Sequence, residues 1–297
     1  MLIASLMACT SPLDSAAAET GGTESVDSGS RDTGDSADTG DTGTAGFASP
    51  ESVLHDAQAD VYLVSNINGG ATEVDDNGFI SKLAPDGTVL DLKFIDGADA
   101  DVELNAPKGS YIVGDWLWVA DIDTMRVFDR ETGESLRTFP VEGATFLNDV
   151  TFSGEDGVFV SDSAATGRDT SMWAVNSGGD TFFQASGDEL PKPNGLYFQY
   201  PSIFALSDGE LVEVQLNSDI GSREALPAAQ LDGLVKDNDG NYIVSSWETS
   251  TLYRQGRAGW EVLAENLTSP ADIGYDVSRN QLMVPLFTEN EVVLLPL

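Results

Sequence analysis

The sequence predicts an all-β fold, a six-bladed β-propeller of four-stranded blades, and three observations predict it. Six short turn-like segments each precede an apolar strand-like run. Aligned on Glu51, Lys108, Asn148, Asn194, Asp232 and Ala271, they recur at intervals of 57, 40, 46, 38 and 39 residues. Recurrence at roughly 40–45 residues with short strands inside each unit marks propeller blades. No amphipathic stretch of ordinary helical length interrupts the pattern. A large β-sandwich would share the strand content but not the recurrence.

The elements follow in chain order. Residues 1–9, M-L-I-A-S-L-M-A-C, end in Leu6-Met7-Ala8-Cys9, which resembles a bacterial lipobox: a small residue precedes a cysteine that would carry the lipid. No Lys or Arg precedes the short apolar stretch, so the start site is expected to lie upstream of Met1 if this is a leader. Residues 10–48 are rich in Asp, Ser, Thr and Gly. With almost nothing to bury, they are expected to be a disordered, self-repelling linker between the lipidated Cys9 and a folded part spanning 49–297.

Within the folded part, V-Y-L-V-S (61–65), W-L-W-V-A (116–120), G-V-F-V-S (157–161), N-Y-I-V-S (241–245) and Q-L-M-V-P (281–285) read as second strands. Third strands follow, such as F-I-S-K-L (79–83) and T-L-Y-R-Q (251–255), then fourth strands such as T-V-L-D-L (88–92) and W-E-V-L-A (260–264). Turn clusters such as A-P-D-G, D-N-D-G and S-R-N separate them. The final run E-V-V-L-L-P-L (291–297) is expected to close the ring beside the first folded segment, since an open ring leaves unpaired sheet edges.

Composition narrows the function. The chain has 14 basic and 50 acidic residues, a formal charge of −36, which argues against nucleic acid and anionic membrane surfaces as partners. Its single cysteine, Cys9, excludes an intrachain disulfide and a cysteine-based zinc site. The single histidine, His55, excludes a histidine-rich zinc centre, and no G-x-S-x-G elbow accompanies it. Propellers of this size usually work as monomers.

The candidate site comes from the repeat. Glu51, Asn148, Asn194 and Asp232 hold equivalent places in four units and carry only carboxylate or amide oxygens, a donor set suited to hard cations. Any one of them alone reads as a turn residue. Gly195 and Gly233 would permit tight turns that aim the preceding side chains inward. Lys108 and Asp149 could face the same mouth, or serve as a surface ion pair and a turn residue. Asp121, Asp123 and Asp162 read as solvated turn residues. His55 reads as a packing or turn residue, and Trp116, Trp118, Trp173 and Trp247 as core between blades.

P-E-S-V-L-H-D near the start, K-P-N-G-L-Y-F in the middle and L-D-G-L-V-K-D-N-D-G-N-Y-I-V-S-S-W later resemble the gluconolactonase/regucalcin (senescence marker protein) family of six-bladed propellers over about residues 49–297. The resemblance implies one divalent cation, most often Ca²⁺ with Mg²⁺, Mn²⁺ or Zn²⁺ as alternatives, held by Glu51, Asn194 and Asp232. It implies that Asn148 helps bind metal or substrate and is a catalytic residue together with Asp232, which is also the catalytic base. Lys108 joins Asn148 as a candidate substrate-binding residue. Where that family has Gly-Pro after the early Glu and Asn-Asp-Gly in the middle, this chain has Ser52-Val53 and Asn148-Asp149-Val150. The expected activity is metal-dependent hydrolysis of a lactone or similar small-molecule ester outside the cytoplasm, by a bacterial lipoprotein anchored through its lipid. The alternative is a non-catalytic anchored propeller, akin to NHL-repeat scaffolds, that binds a protein or glycan and uses any metal only structurally.

Overall fold

The computed structural model describes residues 46–154, 156–164 and 170–297. The expectations for residues 1–9, for lipidation of Cys9 and for most of the linker lie outside the described residues. The described chain forms six antiparallel sheets, each strand pairing with its neighbour in sequence.

Blade 1 holds Pro50–Asp56, Val61–Asn66, Phe79–Leu83 and Val89–Asp96, and blade 2 holds Pro107–Val113, Trp116–Asp121, Thr124–Asp129 and Ser135–Pro140. Blade 3 holds Leu147–Phe152, Val158–Asp162, Ser171–Val175 and Thr181–Ser186. Blade 4 holds Pro193–Gln199, Ser202–Ser207, Glu210–Gln215 and Ile220–Ala225. Blade 5 holds Leu231–Lys236, Tyr242–Ser246, Thr251–Gly256 and Gly259–Glu265, and blade 6 holds Gly274–Asp276, Gln281–Leu286 and Glu291–Pro296. Five blades thus have the expected four strands and the sixth has three.

The burial of each strand follows its place in the blade. Second strands are covered on both faces by neighbouring blades, so they are buried along nearly their whole length and read as continuous apolar runs. Outer strands such as Ser135–Pro140 and Ile220–Ala225 are largely exposed and carry the charge. Each blade-to-blade interface has its own apolar cluster. Trp118 and Val127 of blade 2 meet Val150 and Val160 of blade 3, for example, while Leu211 of blade 4 meets Tyr242 and Val244 of blade 5. Trp118 is the interblade core residue its sequence context suggests. The packed region begins upstream of residue 49: Phe47 is buried with Val53, Tyr62, Val64, Leu83 and Met283.

Ring closure differs from the expectation. The run 291–296 pairs with Gln281–Leu286 as the third strand of blade 6 and forms no ladder with the first segment. Blades 1 and 6 are joined instead at their inner strands. The Val53 amide donates to the Asp272 carbonyl (3.3 Å), the Asp272 amide to the Glu51 carbonyl (2.9 Å), and Ser52 Oγ to Asp272 Oδ2 (2.7 Å). Farther out, Val292 and Leu294 pack into the shared apolar cluster, and Arg279 pairs both oxygens of Asp60 while also holding Asp276. The ring therefore closes by packing and inner-strand bonds, not by a shared sheet. Deleting residues 291–297 should strip the cover from Leu282, Met283 and Val284 and lower the thermal midpoint by more than about 10 °C, since several buried aliphatic side chains are each worth about 1.5–3 kcal/mol. A truncated protein that melts like the parent would refute closure through this strand.

Candidate metal centre at one mouth of the channel

The five donor positions share one structural register. Glu51, Lys108, Asn148, Asn194 and Asp232 are each the second residue of the innermost strand of blades 1 to 5. At that point the pairing with the second strand is irregular in every case: between Pro50 and Ser52, Pro107 and Ser110, Pro193 and Leu196, Leu231 and Leu234, and opposite Asn148–Asp149. A bulge re-aims side chains that a regular ladder would direct into the interblade packing. Gly195 and Gly233 have a different role from the turn role expected of them. A Cβ on Gly195 would lie 2.2 Å from the Asp232 carbonyl oxygen, and one on Gly233 would lie 2.2 Å from the Ile273 amide nitrogen. The missing side chains let neighbouring inner strands approach at the ligand level.

All five side chains line a single cavity of about 300 Å³. Among the described residues, Glu51 Oε2, Asn194 Oδ1 and Asp232 Oδ1 are buried oxygens without a hydrogen-bond donor. Burying an acceptor unsatisfied costs about 1–3 kcal/mol, more when it is charged. Three at one mouth call for a common partner. Neighbouring groups hold the other atoms of two of these side chains: Trp247 Nε1 donates to Asp232 Oδ2 at 2.6 Å, and Asn194 Nδ2 to the Leu231 carbonyl at 3.3 Å. Asn148 Nδ2 donates to Ser163 Oγ at 3.1 Å. The residues present fit a hard divalent cation: the free atoms are all oxygens, two of them from carboxyl groups.

Electrostatics point the same way. Burial, then the negative charges of Asp232 and Asp272, holds the Glu51 carboxyl well above the usual carboxylate range. Burial, reinforced by Asp272, pushes Asp232 up to about 7. Lys108 is not the surface ion-pair residue it could have been. It is buried, its Nζ donates to the Ala71 and Ala106 carbonyls at 3.0 Å each, and it lies 4.6 Å from the Phe146 ring centroid. Burial pulls its ammonium down to about 8, against the attraction of Glu51.

Asp149 takes a different place from the two foreseen for it. It lines a second cavity of about 610 Å³, formed by the far halves of the inner strands, and is neither at the donor mouth nor in a turn. It accepts from the Val150 amide (2.6 Å) and the Leu196 amide (2.5 Å), which ties blade 3 to blade 4. Burial pushes Asp149 up to about 7, and burial together with the charge of Asp149 holds the Asp272 carboxyl well above the usual carboxylate range.

Several functional residues escaped the sequence reading. Ser161 Oγ accepts from the Asp149 amide at 2.9 Å. Ser245 Oγ accepts from the Gly233 amide at 2.8 Å and donates to the Ala271 carbonyl at 2.8 Å. These buried hydroxyls satisfy the backbone groups that the bulges free. Their signal was the V-S ending of the second-strand runs at 64–65, 160–161 and 244–245. Asp121 and Asp162 are buried and not solvated: Asp121 accepts from the Asn105 and Ala106 amides, and Asp162 from the Phe146 amide, which fastens the loops leading into the inner strands. Asp123 is exposed, as a turn residue should be. Trp247 lines the mouth and is not core between blades, and Asp272 was passed over because its unit was aligned on Ala271.

His55 takes no part in this mouth. It sits near the far end of its strand, 3.6 Å from Asp276 and 3.5 Å from Asp60, edge-on to Tyr62. The three side chains offer ligand atoms close enough to hold an ion, and His55 Nε2 is buried without a hydrogen-bond partner. Both carboxylates are already paired with Arg279, and Tyr62 donates to Asp276, which makes this group the weaker candidate for a cation.

No family model matches this chain, and no curated protein matches it in sequence. Solved structures match it in shape. The gluconolactonase XC5397 of Xanthomonas campestris superposes with a TM-score of 0.62 at 14% identity, covering 84% of this chain and 86% of that one. The calcium-binding protein regucalcin of Agrobacterium tumefaciens gives 0.55 at 15% identity, covering 82% and 83%. A streptogramin B lyase gives 0.58 at 10% identity, covering 84% and 93%. These likenesses establish the six-bladed propeller fold. At such identities they leave the chemistry to the site.

The raised carboxyls make a signed prediction. A folded carboxyl at about 7 keeps a proton that the unfolded chain releases near its ordinary value of about 4. Its contribution to stability is complete below about 4 and is lost as pH rises through about 7, so the cation-free protein weakens across that window at this site. A cation must displace those protons, so its stabilisation should grow with pH. With Ca²⁺ at about a hundredfold excess over its dissociation constant, the gain is about 2.7 kcal/mol, or roughly 5–10 °C for a domain of this size. Calorimetry should show a shift of that order at pH 8 and a much smaller one at pH 5. Equal shifts at both pH values would contradict protonation of the ligand carboxyls.

Proposed function

We propose that the protein is a divalent-cation-dependent hydrolase of a lactone or similar ester. The observation that carries this reading is the set of three buried, donorless oxygens on Glu51, Asn194 and Asp232 at the wall of one ligand-sized cavity. The gluconolactonase and the calcium-binding regucalcin among the structural neighbours support it as analogies of fold. Ca²⁺ is the preferred ion, because oxygen ligands in irregular geometry suit it.

A bound cation would act as a Lewis acid on the ester carbonyl. The protein's own residues do the rest. Trp247 pins Oδ2 of Asp232 and leaves Oδ1 for the cation, so the carboxylate would stand beside a water on that cation and take its proton. Asn148, oriented by Ser163, would hold the substrate. Lys108 places a positive charge beside the cavity where it offsets the carboxylate of the product. The lipobox at Leu6–Cys9 and the acidic linker behind it support an extracytoplasmic, membrane-anchored location, and a Cys9→Ser protein that stayed in the membrane fraction would refute the anchor. A monomer suffices for this chemistry, since one ring supplies every group.

The test uses the full-length protein. About one equivalent of divalent cation should remain bound after dialysis against a mixed divalent buffer, and none in Asp232→Ala. Asp232→Asn should keep the melting profile within a few degrees yet lose about 10²–10⁴-fold in turnover on a lactone and ester panel, because an amide cannot accept the proton. Full turnover in that variant would remove Asp232 as base. Cation-free protein with no hydrolysis of any panel member would leave the non-catalytic binding propeller.

A further inference from the structure

The wall of the donor cavity has its own chemistry. Beside the oxygens, the cavity is lined by Ile67, Ala71, Phe146, Leu231, Trp247 and Phe287. Leu231 opens the inner strand of blade 5, and the others come from loops of four blades. Ile67 and Ala71 precede the third strand of blade 1, and Phe146 leads into blade 3. Trp247 follows the second strand of blade 5, and Phe287 follows that of blade 6. Ile67, Ala71 and Phe287 form a small apolar cluster with Ala106 and Ile122, separate from the six interblade cores. Trp247 and Phe287 pack against each other with centroids 5.2 Å apart and planes tilted by 47°. An apolar cluster at the channel mouth adds nothing to blade packing, which the other clusters already supply.

The polar groups of the same cavity are nearly all committed. Asn194 and Asp232 are tied to Leu231 and Trp247 through one atom each and offer the other to a cation; Glu51 Oε2 is likewise a cation ligand. Lys108 spends two of its three donors on the Ala71 and Ala106 carbonyls. Asn148, whose Nδ2 donates to Ser163, and Gln230 are the two further polar side chains in the lining, few for a ligand with a hydroxyl on nearly every carbon. A polyhydroxylated lactone would bring several hydroxyls into this space and find too few partners, and each hydroxyl buried unpaired costs about a tenfold to hundredfold loss in affinity. An alkyl or aryl substituent would instead lie against the aromatic and aliphatic wall. The cavity volume, at the low end for ligand sites, limits the substrate to one small ring with a short chain or a fused aromatic ring.

We infer that the substrate class of this site is a small lactone or ester with an apolar alkyl or aryl substituent, held by the Ile67–Phe146–Trp247–Phe287 wall, and not a sugar lactone. The inference rests on the hydrolase reading for its chemistry, but the wall also selects ligands by binding alone.

The experiment pairs hydrolysis with binding on the full-length Ca²⁺-loaded protein. The probes are γ-butyrolactone, its 5-ethyl, 5-butyl and 5-hexyl derivatives, dihydrocoumarin and glucono-δ-lactone. The expected result is kcat/KM rising about threefold per added methylene until the cavity is full, with glucono-δ-lactone at least tenfold below the best alkyl or aryl lactone. Phe287→Ala should flatten this chain-length dependence. Glucono-δ-lactone turned over as well as the best apolar lactone would overturn the inference while leaving the hydrolase reading intact. If nothing is hydrolysed, the hydrolase reading fails, and tryptophan fluorescence titration with the same compounds still decides the substrate class. Tighter binding of the alkyl series, with the change lost in Trp247→Phe, sustains an apolar ligand site. Equal or tighter binding of glucono-δ-lactone overturns it.

Discussion

The bulge at the second residue of each inner strand is the constraint on which the rest of this site depends. A regular ladder would alternate side chains between the two faces of each blade, where neighbouring blades fill the space with Val, Leu and Trp. The irregular register turns one residue per blade toward the axis, in five successive blades. It also frees backbone groups. The buried hydroxyls of Ser161 and Ser245 satisfy the amides of Asp149 and Gly233, while the absent side chains of Gly195 and Gly233 allow the next strand to come close. Residues that the chain separates by tens of positions thereby share one small cavity, with three of their oxygens left without donors.

Charge distribution along the channel follows from that crowding. Glu51, Asp232, Asp149 and Asp272 are all buried, and burial together with the charge of at least one of the three aspartates raises the pKa of each. Asp149 and Asp272 offset part of this cost by accepting from the Leu196 amide and from Ser52. At the mouth, Lys108 is the one buried cation, and it forms no ion pair with Glu51 among the described residues. A divalent ion is the positive charge that we propose for this mouth. The His55–Asp60–Asp276 group is the contrast within the same molecule: its carboxylates are paired with Arg279, Tyr62 and Ser278, and only His55 Nε2 is left without a hydrogen-bond partner.

Much of this was legible in the sequence, for a physical reason. Equivalent positions in a repeat occupy equivalent places in space, so spacing alone aligned Glu51, Lys108, Asn148, Asn194 and Asp232, and all five line one cavity. The second-strand runs were equally legible, because strands buried on both faces are apolar throughout. What failed to show was whatever depends on contacts between blades. Asp149 and Asp272 act across blade boundaries, so their neighbours in sequence say nothing of their partners. Trp247 looks like any core aromatic until the donor contact to Asp232 is seen. The ring closure was misjudged because unpaired edges can be covered by side-chain packing as well as by a shared ladder. Lys108 was ambiguous for another reason. A lysine after Ala-Pro reads as exposed, and only the carbonyls of Ala71 and Ala106 make its burial tolerable.

The most direct test of the account is anomalous scattering from crystals of the protein grown with Mn²⁺. The account predicts one dominant peak at the mouth, with Glu51 Oε2, Asn194 Oδ1 and Asp232 Oδ1 each at about 2.0–2.6 Å from it. A mouth without a peak, or an ion seated between His55, Asp60 and Asp276 instead, would contradict it.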